Sequence, residues 1–137
     1  MSGLVAVLGA LAETEKKLVE QLYPDFFARR PDAQPLFGVH ALAEREEMVR
    51  ETLRSLLALA DGEPWLAGNL AALGRSHFEY GVTGDMYGDF VEVFVDVATR
   101  VAGLSPSDAQ TLRAGIGEIA GAMRRAGDAL AAPAGDS

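Results

Sequence analysis

Apolar residues in this chain recur three and four positions apart, and nowhere over a useful length do they alternate. That period matches a helix of about 3.6 residues per turn and leaves no segment from which to build a sheet. Helix formers dominate and clusters of β-branched residues are few, so the chain reads as an all-α domain. Leu8, Leu11, Leu18 and Leu22 lie along an amphipathic stretch over residues 4–22, one helix or two, whose wet side carries Glu13, Glu15, Lys16 and Lys17. Pro24 is expected to interrupt or kink this run, with Phe26, Phe27 and Ala28 continuing as a short helical piece that ends before Pro31. Pro35 keeps residues 31–38 short and irregular.

The clearest long helix covers residues 42–60, with Leu42, Val49, Leu53, Leu56 and Leu57 on one stripe and Glu44, Glu47, Arg50, Glu51 and Arg54 on the other. It ends at Asp61-Gly62-Glu63-Pro64, where glycine tolerates positive φ and proline suits the opening of another helix. Residues 65–80 carry Leu66, Leu70, Leu73 and His77 at spacings of four, three and four, which places the histidine on an apolar face. A turn at residues 81–84 leads to a helix over 85–102, whose Phe90, Val91, Phe94, Val95 and Val97 predict burial on most sides. Trp65 is assigned to the core with Phe90 and Phe94. Ser105-Pro106-Ser107-Asp108 has the form of an N-cap, a first-turn proline and an early acid, starting a last helix that reaches about residue 130. One domain over residues 1–130 with a frayed tail over 131–137 follows.

The inventory removes several chemistries. A chain of 137 residues has room for one core. It contains no cysteine, so disulfides, thiolate metal sites and cysteine nucleophiles are excluded. A net charge of −8 opposes phosphate backbones, so nucleic acid is not an expected partner. No apolar run approaches the roughly 20 residues of a membrane helix, and the first residues lack the basic start of a secretory leader, so a cytoplasmic location is expected. The chain also lacks the glycine fingerprints of flavin or nicotinamide sites.

Two side chains stand out for chemistry. A lone histidine on an apolar face, such as His77, is commonly a core residue satisfied by a backbone carbonyl; the other reading is a metal ligand, with a carbonyl on its second nitrogen. Arg45 lies in the charge run 44–47, which as a rule is a solvated face. Its register differs, because Arg45, Val49 and Leu53 follow one another at spacings of four and share a stripe on which only Arg45 is polar.

Tyr23-Pro24-Asp25-Phe26-Phe27, then Pro31 and Pro35-Leu36-Phe37, is similar to the second helix and following corner of bacterial globins. The run Leu73-Gly74-Arg75-Ser76-His77-Phe78-Glu79-Tyr80-Gly81-Val82, followed by Asp85, Met86 and Tyr87, resembles the proximal helix and next turn of single-domain, flavohaemoglobin-like bacterial globins. The resemblance covers residues 23–101 and, in pattern only, the last helix. It implies a globin fold of six to eight helices around a haem pocket, with the first helix shortened, and haem b (iron protoporphyrin IX) as cofactor.

Carried over residue by residue, His77 matches the proximal iron ligand and Phe37 the phenylalanine that stacks on the haem. Tyr23 matches the distal tyrosine that donates to bound oxygen. Arg45 falls at the ligand-facing polar position, or Glu46 if the alignment slips by one, with Leu42, Val49 and Leu53 as apolar neighbours. Leu73, Val82, Tyr87 and Phe90 would line the proximal side, and His40 suits an exposed or propionate-side position. The sequence departs from the family in Pro24 directly after Tyr23, in the arginine at the ligand position, and in lacking a glutamate to pair with Tyr87. The implied function is reversible binding of O2, NO or CO by a monomer or homodimer. The alternatives are a nitric oxide dioxygenase served by an external reductase, and a sensor or interaction module.

Overall fold

The structure is a computed structural model that describes residues 3–37 and 41–131. Among them it contains six α-helices, one 3-10 turn and no strand. In chain order these are α1 (Gly3–Glu13), α2 (Glu15–Arg29), the 3-10 turn (Pro31–Leu36), α3 (Ala41–Asp61), α4 (Leu66–Glu79), α5 (Gly84–Ala102) and α6 (Pro106–Ala131). His40 and the tail beyond residue 131 lie outside the described residues.

Three local outcomes differ from expectation. The first amphipathic stretch is two helices, as the pattern allowed, meeting at Thr14, and Pro24 does not interrupt the second. The Thr14 hydroxyl donates to the Ala10 carbonyl at 2.9 Å, while its own carbonyl accepts the Leu18 amide at 2.9 Å and so opens α2. Pro24 sits inside α2, which also buries Leu18, Val19, Leu22, Tyr23 and Phe26. Burial at about 1.5–3 kcal/mol per large side chain exceeds the ~3 kcal/mol that an internal proline costs. Residues 31–36 are regular, a 3-10 turn with Pro31 at its start. Trp65 is 40% exposed and lies under the Arg54 guanidinium at 4.9 Å, a surface cation–π pair in place of a core position.

The helix ends follow their local chemistry. At the end of α3, Gly62 takes φ +68°, the Glu63 amide donates to the Ala58 carbonyl at 2.9 Å and the Gly62 amide to Leu59 at 3.2 Å, which satisfies carbonyls the helix leaves unpaired. Gly103 ends α5 in the same left-handed region, at φ +65°. At the start of α6, Ser105 Oγ accepts the Asp108 amide at 3.1 Å, the predicted cap.

Helix α5 runs through the middle, with Val91, Val93, Phe94, Val95, Val97 and Ala98 buried against α2 and α6. Helix α4 is held mainly by α6, and the two backbones approach through glycine. A Cβ on Gly74 would lie 2.2 Å from the Met123 carbonyl oxygen, and one on Gly127 would lie 3.3 Å from Phe78 Cβ. Helix α3 leans on α1, α6 and α2 and meets α4 only sparsely. The helices that carry Arg45 and His77 are thus each anchored from outside, with little direct packing between them.

Candidate functional site

His77 lies in the last turn of α4, and its Nδ1 is 2.7 Å from the Leu73 carbonyl oxygen one turn back. A carbonyl can only accept, so the proton resides on Nδ1 and the imidazole is held in the tautomer that leaves the Nε2 lone pair available. Burial lowers the pKa of the ring below its ordinary 6.5, and the Leu73 bond opposes this more weakly. The imidazole is therefore neutral at pH 7, the state a metal ligand requires. The Val82 amide donates to the His77 carbonyl at 2.9 Å and closes the turn beneath it.

The Tyr87 ring faces His77 at 6.4 Å between centroids, tilted by 33°. Burial, and secondarily the charge of Asp128, push its phenol up to about 12. Asp128 itself is 3.8 Å from Arg124, one turn back on α6. A groove of about 350 Å³ between α4, α5 and α6 reaches Gly74, Val82, Tyr87 and Asp128. His77 does not line it, and the groove borders the α6 side of the histidine helix.

A second centre gathers aromatic rings around a cation. Tyr23 and Phe27 sit one turn apart on α2, and Phe37 follows the 3-10 turn. The Tyr23 and Phe37 rings meet edge to face at 5.5 Å, Phe27 and Phe37 at 5.4 Å, and Tyr23 and Phe27 at 5.9 Å. The Arg45 guanidinium lies over all three, 5.1 Å from the Phe27 centroid, 5.7 Å from Tyr23 and 5.9 Å from Phe37. Arg45 Nε is buried without a hydrogen-bond partner. Tyr23 is fully buried, and its hydroxyl donates to the Arg45 backbone carbonyl at 3.0 Å. Burial raises the phenol's pKa, and the Arg45 charge opposes the rise. Glu44, Glu46 and Glu47 are exposed. The charge run is thus a wet face with one member turned inward, and that member is Arg45 and not Glu46.

A family model described as Globin matches residues 20–123, a span that takes in both centres. The chain belongs to the globin family. Against curated proteins it has no match. The expected all-α globin fold is the one observed, with a first helix of only 11 residues. Haem-based gas binding is the general property this family carries.

The residues of this globin fit a haem on four counts. His77 presents one uncommitted imidazole nitrogen, and among the described residues no three His, Asp or Glu side chains gather to hold a metal without help from a porphyrin. Phe37 offers a ring at the corner before α3. Val49 is fully buried on the stripe of Arg45, and Leu53 is partly buried against the core. Phe90 packs edge to face on Phe26 at 5.4 Å and against Phe94 at 5.7 Å, and the partly buried Val82 and Tyr87 join the same core.

Leu42 is the exception. At 65% exposure it projects from the first turn of α3 and lies outside the hydrophobic core that holds Val49 and Leu53. Two residues went unidentified in the sequence. Phe27 forms the face of the aromatic cluster nearest Arg45, and its spacing of four from Tyr23 was the available signal. Asp128 supplies the acid near Tyr87 that the sequence did not reveal. No helix of the described residues is long and apolar enough to cross a membrane.

Proposed function

We propose that this globin holds haem b through His77 Nε2 and reversibly binds a diatomic gas, O2 foremost. The observation that carries the reading is the 2.7 Å contact between His77 Nδ1 and the Leu73 carbonyl, because it fixes both the tautomer and the ring orientation that ligation needs. Bound haem supplies an iron with one coordination position open to a gas molecule. The chain does the rest. Val49, Leu53, Phe37 and Phe90 exclude water from the cofactor faces, and Tyr87 packs beside the imidazole. The Leu73 carbonyl, as acceptor, makes His77 a better electron donor.

The likeness of residues 73–87 to the single-domain, flavohaemoglobin-like bacterial globins supports oxygen handling over a purely structural role. The test is spectroscopic. Protein prepared with haem is expected to show distinct ferric, ferrous and carbon monoxide spectra, and an oxygenated spectrum that survives repeated cycles of deoxygenation. Immediate oxidation on exposure to air would overturn reversible binding. Rapid consumption of NO by the oxygenated protein, sustained by an added reductase, would favour a dioxygenase in its place.

A further inference from the structure

The groove of about 350 Å³ between α4, α5 and α6 has the size of a small ligand site. Glycines form much of its wall, and Phe78 and Val82 give it an apolar side. Tyr87, Arg124 and Asp128 bring polar groups to it. Among the described residues the Tyr87 hydroxyl and the Arg124 guanidinium have no hydrogen bond, and Arg124 Nε meets Asp128 Oδ2 only at 3.8 Å, beyond hydrogen-bonding distance. Two opposite charges thus stand side by side, each with unused capacity. The Asp128 charge also helps to raise the Tyr87 phenol, which puts the carboxylate close to that hydroxyl. The guanidinium owes its place to a missing side chain, since a Cβ on Gly84 would lie 2.8 Å from Arg124 Nε and 3.1 Å from its Cζ.

The charges select the ligand. A simple anion would meet Asp128 and a chain of net charge −8, and a simple cation would meet Arg124. A neutral molecule with both charges on neighbouring atoms escapes both repulsions. The α-amino acid head group is such a molecule, with its ammonium nitrogen about 2.5 Å from its carboxylate carbon. We propose that this groove binds a free α-amino acid with an apolar side chain, its carboxylate on Arg124, its ammonium on Asp128 and its side chain against Phe78 and Val82. Joined to the haem reading above, the occupant is also an effector of the iron site. Tyr87 faces the His77 imidazole at 6.4 Å, and the Val82 amide donates to the His77 carbonyl at 2.9 Å, so two walls of the groove touch the histidine.

The experiment titrates the full chain, with and without haem, with L-leucine, leucinamide and N-acetyl-leucine by calorimetry. Saturable binding of L-leucine is expected, and each analogue, lacking one charge, should bind about tenfold or more weakly. Arg124→Met should weaken L-leucine by about tenfold or more without unfolding the chain, because the side chain is half exposed. Gly84→Ala keeps the charge but displaces the guanidinium, and an intermediate loss is expected. Saturating L-leucine should shift the carbon monoxide affinity of the ferrous protein by about fivefold or more, an effect that Arg124→Met abolishes. Absence of saturable L-leucine binding, or equal affinity for leucinamide, overturns the site. Binding with unchanged carbon monoxide affinity overturns the effector role. Failure to take up haem overturns the haem reading and leaves the amino acid titration to decide the site.

Discussion

At the scale of single residues, the two centres depend on polar groups whose partners were partly visible in the sequence. The apolar stripe through Leu66, Leu70 and Leu73 puts His77 on the face that the fold half-buries, but only the folded helix shows that the Leu73 carbonyl lies within reach of Nδ1. Counting back in fours from Leu53 reaches Arg45 but leaves Glu46 open to a slip of one; in the structure Arg45 turns toward the aromatic rings while Glu46 is exposed. Phe27 is less legible because an interruption or kink at Pro24 leaves its register to Tyr23 undefined; in the continuous α2 it falls one turn after Tyr23. Asp128 carried no signal, because nothing in the pattern of α6 marks which of its polar residues faces Tyr87.

The partial burial of His77 has a consequence for stability. Its pKa is lowered in the folded chain and close to 6.5 when unfolded, so as pH falls through 6.5 the unfolded chain takes up the proton first. Stability present above pH 6.5 is lost below it, down to the depressed folded value. Urea denaturation of the haem-free protein at pH 7.5 and 5.5 should show a larger loss in wild type than in His77→Gln. Equal losses would mean that the imidazole titrates normally.

At the scale of elements, the helices were legible because their period and caps were local. Ser105 and Gly62 begin and end helices by chemistry confined to one turn. Pro24 and Trp65 went otherwise because tertiary packing decided them, the first by burial of the neighbouring α2 residues and the second by Arg54. The close approach of α4 to α6 was not legible, since a glycine in a helix does not announce what passes beside it.

That approach sets the position of the histidine helix. Gly74→Ala would place a methyl 2.2 Å from the Met123 carbonyl oxygen, and helix backbones cannot yield as a side chain can. Overpacking of this kind costs about 1–3 kcal/mol. Gly88→Ala in α5 meets nothing within 4 Å and should stabilise the chain by about 0.5–1 kcal/mol through helix propensity. Thermal denaturation of the two variants should therefore move in opposite directions. Haem affinity should fall in Gly74→Ala alone, because only that change displaces α4. A Gly74→Ala protein as stable as wild type would show that α4 and α6 are not held by this contact.

At the scale of the whole molecule, α5 lies at the centre while α3 and α4 pack mainly on other helices and only sparsely on each other; the proposed function would seat a flat cofactor between these two. Binding to the folded chain alone stabilises it by mass action, about 4 kcal/mol when haem is present at 1,000 times its dissociation constant. That stabilisation should be visible as a higher melting temperature of the haem-loaded protein. The decisive measurement is haem titration of the haem-free protein, followed by absorption at the Soret band, for wild type and His77→Ala. One equivalent taken up by wild type, with a five-coordinate ferrous spectrum that His77→Ala loses and added imidazole restores, is the result the account predicts. The same stoichiometry, affinity and spectra in His77→Ala would contradict it.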